Sequence, residues 1–132
     1  MWPFRKKPKY EDLDKKRLEA FGVLAAVSSL CIGSERLPIM HGVREHPNNV
    51  SDSGWILASG RESREFASDA GNYKLVPLEM MIETDQTLAP MREWPVGTEV
   101  TRLLRDEPWR FIVDDKVVDD DGKAVGELRD AT

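Results

Sequence analysis

Apolar residues in this chain come in short runs, and clusters of Gly, Pro, Asn, Asp and Ser interrupt them. Such punctuation limits each element to a strand or a few helical turns, because a long amphipathic helix needs an apolar face kept up over many turns. The longest apolar-leaning stretch, residues 21–32, is rich in Ser and shorter than the roughly 20 apolar residues that cross a bilayer. The basic start, Met1-Trp2-Pro3-Phe4-Arg5-Lys6-Lys7-Pro8-Lys9, runs into polar residues 11–16 and lacks the apolar core of a signal peptide. Its two Pro also oppose an amphipathic helix lying on a lipid surface. The expectation is a cytoplasmic protein that neither enters nor binds a membrane.

Residues 1–10 read as a flexible basic tail and 11–22 as a helical extension, with Leu13, Leu18 and Phe21 on a partial apolar face and Gly22 as a stop. Residues 23–32 read as a buried strand on Val27, Leu30 and Ile32, although 24–27 could also continue the helix. A turn at 33–38 leads to a strand over 39–45 that closes at His46-Pro47-Asn48-Asn49. The turn Ser51-Asp52-Ser53-Gly54 then opens a strand over 55–60, and two strands joined by a loop predict an antiparallel pair. Ser63 caps a short helix, and residues 73–76 read as a strand. Residues 78–83 read as a helical turn with Met80, Met81 and Ile82 inward. Another short helical turn, interrupted by Pro90, is expected over 85–92, and strands over 98–104 and 109–113. Finally, Lys116-Val117-Val118 and Ala124-Val125 flank Asp121-Gly122, a pair suited to a primed hairpin turn.

Strands mixed with short helices, without regular alternation of strand and crossover helix, predict an α+β fold. The expectation is a single domain with a mostly antiparallel sheet, a few short helices and a C-terminal hairpin. Residues 23–105 form the domain proper, and 106–132 pack on it or extend it. A length of 132 residues suits one core. A hydrophobic fraction of 40% with 33% charged residues describes a globular chain with a solvated surface.

The 19 Lys and Arg against 24 Asp and Glu give a formal net charge of −5. Phosphate neutralisation needs the opposite balance, so nucleic acid is disfavoured and a basic protein partner is easier to accommodate. Cys31 is the one cysteine. It excludes an intrachain disulfide and a cysteine-built zinc site, and it suits a reducing compartment.

No set of residues assembles a reaction centre at this level. His41 and His46 are five apart on what reads as one strand, so they point to opposite faces and cannot chelate one ion locally. The apolar neighbours of Cys31 point to an inert thiol. In Asp119-Asp120-Asp121-Gly122, an EF-hand register would put Val117 and Leu128 at ligand positions, and neither can bind calcium. Gly54 and Gly60 lack the spacing of a phosphate cradle. Glu62 and Glu65, three apart on a short polar helix, read as a solvated face. No cofactor, metal or catalytic residue is expected.

The ordered set Cys31-Ile32, Val43-Arg44-Glu45-His46-Pro47, Asp52-Ser53-Gly54-Trp55 and Ser59-Gly60-Arg61-Glu62-Ser63 resembles the bacterial immunity protein thirty-three-like domain. The resemblance continues through Asp69, Asn72, Leu78, Asp85 and Trp94-Pro95-Val96-Gly97-Thr98, covering roughly residues 24–103. It implies a small α+β domain that protects a cell by binding a cognate toxin. The N-terminal extension and the tail after Arg105 depart from the pattern.

The motif residues carry two readings. In the structural one, Asp52 bonds backbone N–H groups of its own turn, Gly54 takes a positive φ and Trp55 is core. In the functional one, the loop 46–52, the region 60–69 and Trp94 line one concave face that engages a partner, with Arg44, Glu45, Asp52, Trp55, Glu62, Asp69 and Trp94 as its residues. Two alternatives remain: a housekeeping interaction module, and an enzyme acting on a small molecule through Glu62, Asp69 and His41.

Overall fold

A computed structural model describes residues 23–34, 36–118 and the backbone of 124–127. The basic tail, the helix read over 11–22 and the tip of the C-terminal hairpin lie outside the described residues. In chain order the elements are strand β1 (Leu24–Ser28), helical turn α1 (Ser29–Ile32), strands β2 (His41–Arg44) and β3 (Asp52–Ala58), and helix α2 (Arg64–Ala67). The 3₁₀ turn η1 (Ala70–Asn72), strand β4 (Tyr73–Pro77), helix α3 (Leu78–Thr84) and 3₁₀ helix η2 (Gln86–Arg92) follow. Strands β5 (Glu99–Thr101), β6 (Arg110–Val113), β7 (Lys116–Val118) and β8 (Ala124–Glu127) complete the described chain.

The strands form one eight-stranded sheet in the order β4-β1-β3-β2-β5-β6-β7-β8. All pairs are antiparallel except β1 with β3. This is the expected α+β class, and the antiparallel pairing of β2 with β3 and of β7 with β8 is as the turn signals predict.

Register decides which residues share a face, because side chains directly opposite one another across paired strands point the same way. Val27 pairs with Leu57, Leu57 with Gly42, Gly42 with Val100 and Val100 with Phe111. Leu78 and Ile82 of α3 and Leu88 and Met91 of η2 pack with this side of the sheet, and Trp55 completes the main core. Gly42 is small for a reason: a Cβ there would stand 3.2 Å from both Leu57 Cδ2 and Met91 Cε. The opposite side carries a second cluster of Ala26, Ile56 and Tyr73, with Val43, Ala70 and Leu75 against it.

Four expectations are corrected. The first strand ends at Ser28 and not at Ile32. The Ser28 hydroxyl accepts a hydrogen bond from Leu30 N, which starts a helical turn and takes Leu30 and Ile32 out of the strand. The third strand starts at Asp52 and not at Trp55, so the turn motif read before it lies inside it. Met80 is 49% exposed. It follows Leu78 by two residues, about 200° around the helix, while Leu78 and Ile82 are four apart and face the core together. The strand read over 98–104 is limited to Glu99–Thr101, and Leu103 stands outside it and exposed.

Candidate functional site

The two motifs that stood out in the sequence sit at opposite ends of β3. The first, Asp52-Ser53-Gly54-Trp55, begins the strand. Asp52 Oδ2 accepts from Asn48 N at 2.8 Å, and Asp52 Oδ1 accepts from Gly54 N at 2.8 Å. Gly54 has φ +89°, and a Cβ there would run into the Glu45 carbonyl oxygen, so only glycine fits. Trp55 has no exposed surface, and its Nε1 donates to Met91 O at 2.7 Å. Arg44 spans this end: its Nε donates to Ser53 O at 2.8 Å and its Nη1 to Trp94 O at 2.5 Å. The chain therefore uses Arg44 to tie the start of β3 to the turn before β5.

The second motif, Ser59-Gly60-Arg61-Glu62-Ser63, follows the strand. Glu62 Oε2 accepts from Ser59 N at 3.0 Å and Ser59 Oγ at 2.8 Å, and Oε1 accepts from Gly60 N at 2.9 Å. Burial pushes this carboxyl up, but hydrogen bonds from Ser28, from Ser59 and from its own backbone outweigh burial and hold it below the ordinary range. The same negative charge acts on its neighbours. Cys31 is pushed up to about 12, first by burial and then by Glu62. Tyr73 is raised by burial, Glu62 and Cys31, in that order. A thiol so far above neutral pH is almost wholly protonated and a poor nucleophile.

The structure brings together some of the expected partner-binding residues and separates others. Arg44, Glu45, Asp52, Trp55 and Trp94 gather at the start of β3. Glu62 and Asp69 stand past its other end, about 20 Å away along a seven-residue strand. The loop 46–52 and the region 60–69 thus stand at opposite ends of β3. Asp52, Trp55 and Glu62 are buried, Arg44, Glu45 and Trp94 are half-buried, and Asp69 is exposed, capping η1 through a bond from Gly71 N at 2.9 Å. His41 is buried with Nε2 2.8 Å from Glu99 Oε2, whereas Glu62 is engaged with Ser59 and Gly60.

Sequence reading passed over two features. Arg102 is 2% exposed. Its guanidinium donates to Ile39 O, to Thr87 Oγ1 at 2.7 Å and to Asp85 Oδ2 at 2.9 Å, and it lies 4.1 Å from the Trp109 ring centroid. It clamps η2 to the chain entering β2. No signal in Thr101-Arg102-Leu103 announces a buried cation. The other feature is an aromatic path to the surface: Trp94 lies 6.3 Å from Trp55 and meets Phe111 edge-on at 5.1 Å. Here a signal existed, since Phe111-Ile112-Val113 is apolar on both faces of one strand.

The family model described as Immunity protein Imm33 domain matches residues 27–113, a span that holds both turn motifs, the Arg102 clamp and β2 through β6. The chain belongs to the Imm33 immunity protein family. Comparison with curated proteins and with solved structures found no match. Within this Imm33 domain the recognisable motifs shape turns from inside. Among the described residues no cluster of His, Cys, Asp and Glu could hold a metal ion, and no helix is long and apolar enough to cross a membrane.

Proposed function

We propose that this chain neutralises a protein toxin by binding it directly. The observation that carries the reading is the match of residues 27–113 to an immunity protein domain. The division of labour among the motif residues supports it. Arg44, Asp52, Trp55 and Glu62 spend their polar atoms on the fold, and so serve binding by holding turns in place. Glu45, Asp69 and Trp94 keep surface that a partner can reach. The site of action is the cytoplasm, where a single protonated thiol at Cys31 stays reduced.

The test is affinity capture of the tagged chain from its source organism, followed by expression of the captured protein in a heterologous host. The expected result is one stoichiometric partner that arrests growth alone and is tolerated when this chain is co-expressed. A captured partner that is harmless, or equally harmful with and without the chain, sinks the proposal.

A further inference from the structure

Beyond the helices that cover the main core, the sheet continues into β6 and β7, and one face there carries exposed apolar side chains among the described residues. Phe111 and Val113 are two residues apart on β6 and so share a face, the one on which Phe111 is paired with buried Val100. Phe111 is 39% and Val113 53% exposed. Continued two residues past Val100↔Phe111, the β5–β6 register puts Val113 opposite Thr98, which follows the turn holding Trp94 and Val96, the latter 38% exposed. Trp94 meets Phe111 edge-on. The patch is thus rooted in the core through Trp94 and Trp55, and its aromatic groups are held before any partner arrives.

Charge borders this patch on two sides. Asp114 and Asp115 form the two-residue turn between β6 and β7, with φ of 52° and 63°, and both are exposed. Glu93 is exposed beside Trp94. Of the cations described near these three carboxylates, Lys116 stands opposite Val113 on this face, and Arg44 is engaged with the carbonyls of Ser53 and Trp94. Arg92, next to Glu93, is engaged in a two-pronged pair with Glu79 on α3.

We infer that the Trp94, Val96, Phe111 and Val113 patch, with Asp114 and Asp115 at its edge, is the surface that docks a protein partner presenting apolar side chains ringed by Lys or Arg. Apolar contact supplies affinity at the centre, and the acidic edge selects for cationic surroundings and speeds encounter. The toxin's identity as that partner rests on the function proposed above. The chemistry of the patch can be tested apart from it.

The probe is a phage-displayed random dodecapeptide library, panned against the immobilised full chain, with the enriched peptides then synthesised. Enriched sequences should carry apolar residues flanked by Lys or Arg, and their affinity should fall as salt rises. Phe111→Ser/Val113→Ser should weaken them by about tenfold. Asp114→Asn/Asp115→Asn should weaken them by about threefold, with the turn preserved because Asn tolerates positive φ. Leu103→Ser/Leu104→Ser, at exposed leucines beyond β5, should bind as wild type.

Absence of enrichment, enrichment of acidic peptides, or unchanged binding in both patch variants overturns the inference. Protection from a toxin that survives Phe111→Ser/Val113→Ser overturns the patch as the docking site while leaving neutralisation standing. A chain that protects against no toxin, yet selects cationic apolar peptides on this patch, supports the inference and removes the toxin reading.

Discussion

Glu62 shows how much a single side chain can hold together at this domain's centre. Its carboxylate closes the turn after β3 and also reaches the Ser28 hydroxyl, where β1 gives way to α1. Its value in the folded chain is lower than the ordinary 4.5. The stabilisation it contributes is therefore complete above that pH and is lost as pH falls through it toward the folded value. Glu62→Gln should cost about 2 kcal/mol at neutral pH, the scale of hydrogen bonds to a charged group. The gap to wild type should narrow on acidification through the pH 4 region, followed by urea denaturation at each pH; a gap constant down to pH 3 would show that ionised Glu62 is not the anchor. Cys31 gives a second test at this scale. With its thiol near 12, alkylation by iodoacetamide at pH 8 should be slow in the native protein and fast in guanidinium. Equal rates would contradict the buried, protonated thiol.

Between elements, the strongest polar tie is Arg102. It is a buried cation whose donors meet a backbone carbonyl, a hydroxyl and a carboxylate, and whose plane stacks on an indole. Asp85 completes it. Burial pushes that carboxyl up, but bonds from Thr87 and Arg102 prevail and leave it lowered. Arg102→Ala leaves Asp85 Oδ2 and Ile39 O without this donor and should cost about 3 kcal/mol, the lower end for breaking a buried ion pair, because Asp85 retains some solvent contact. Arg102→Lys should recover only part of that, since an ammonium keeps the charge but not the fork. Thermal melts of the two variants decide it: equal stability for Lys and Arg would show that charge alone holds η2 in place. The tie also bears on the proposed function, because η2 leads directly into the turn that presents Trp94.

At the scale of the whole molecule the sheet is uneven. β1 and β3 are buried along their whole lengths, while β6 and β7 show exposed residues on both strands. Local opening free energy follows burial, so amide hydrogen exchange should be slowest at Ala26, Val27, Ile56 and Leu57 and faster by orders of magnitude at Phe111 and Val117. Uniform protection across the eight strands would mean that the outer strands are bound into the same cooperative unit as the centre. The sequence, with its short apolar runs and its punctuation by Gly, Pro, Asn and Asp, was enough to determine an α+β class, an antiparallel β2–β3 pair, the cap at Ser63 and the C-terminal strand pairing, because periodicity and turn chemistry are local and survive in one dimension. It also carried ordered motifs that fall within the span matched by the family. The burial of Arg102 and the exposed face at Phe111 and Val113 were decided only by tertiary structure. Each of these depends on which strands become neighbours and in what register, and a one-residue slip in pairing would have turned the same side chains to the other face.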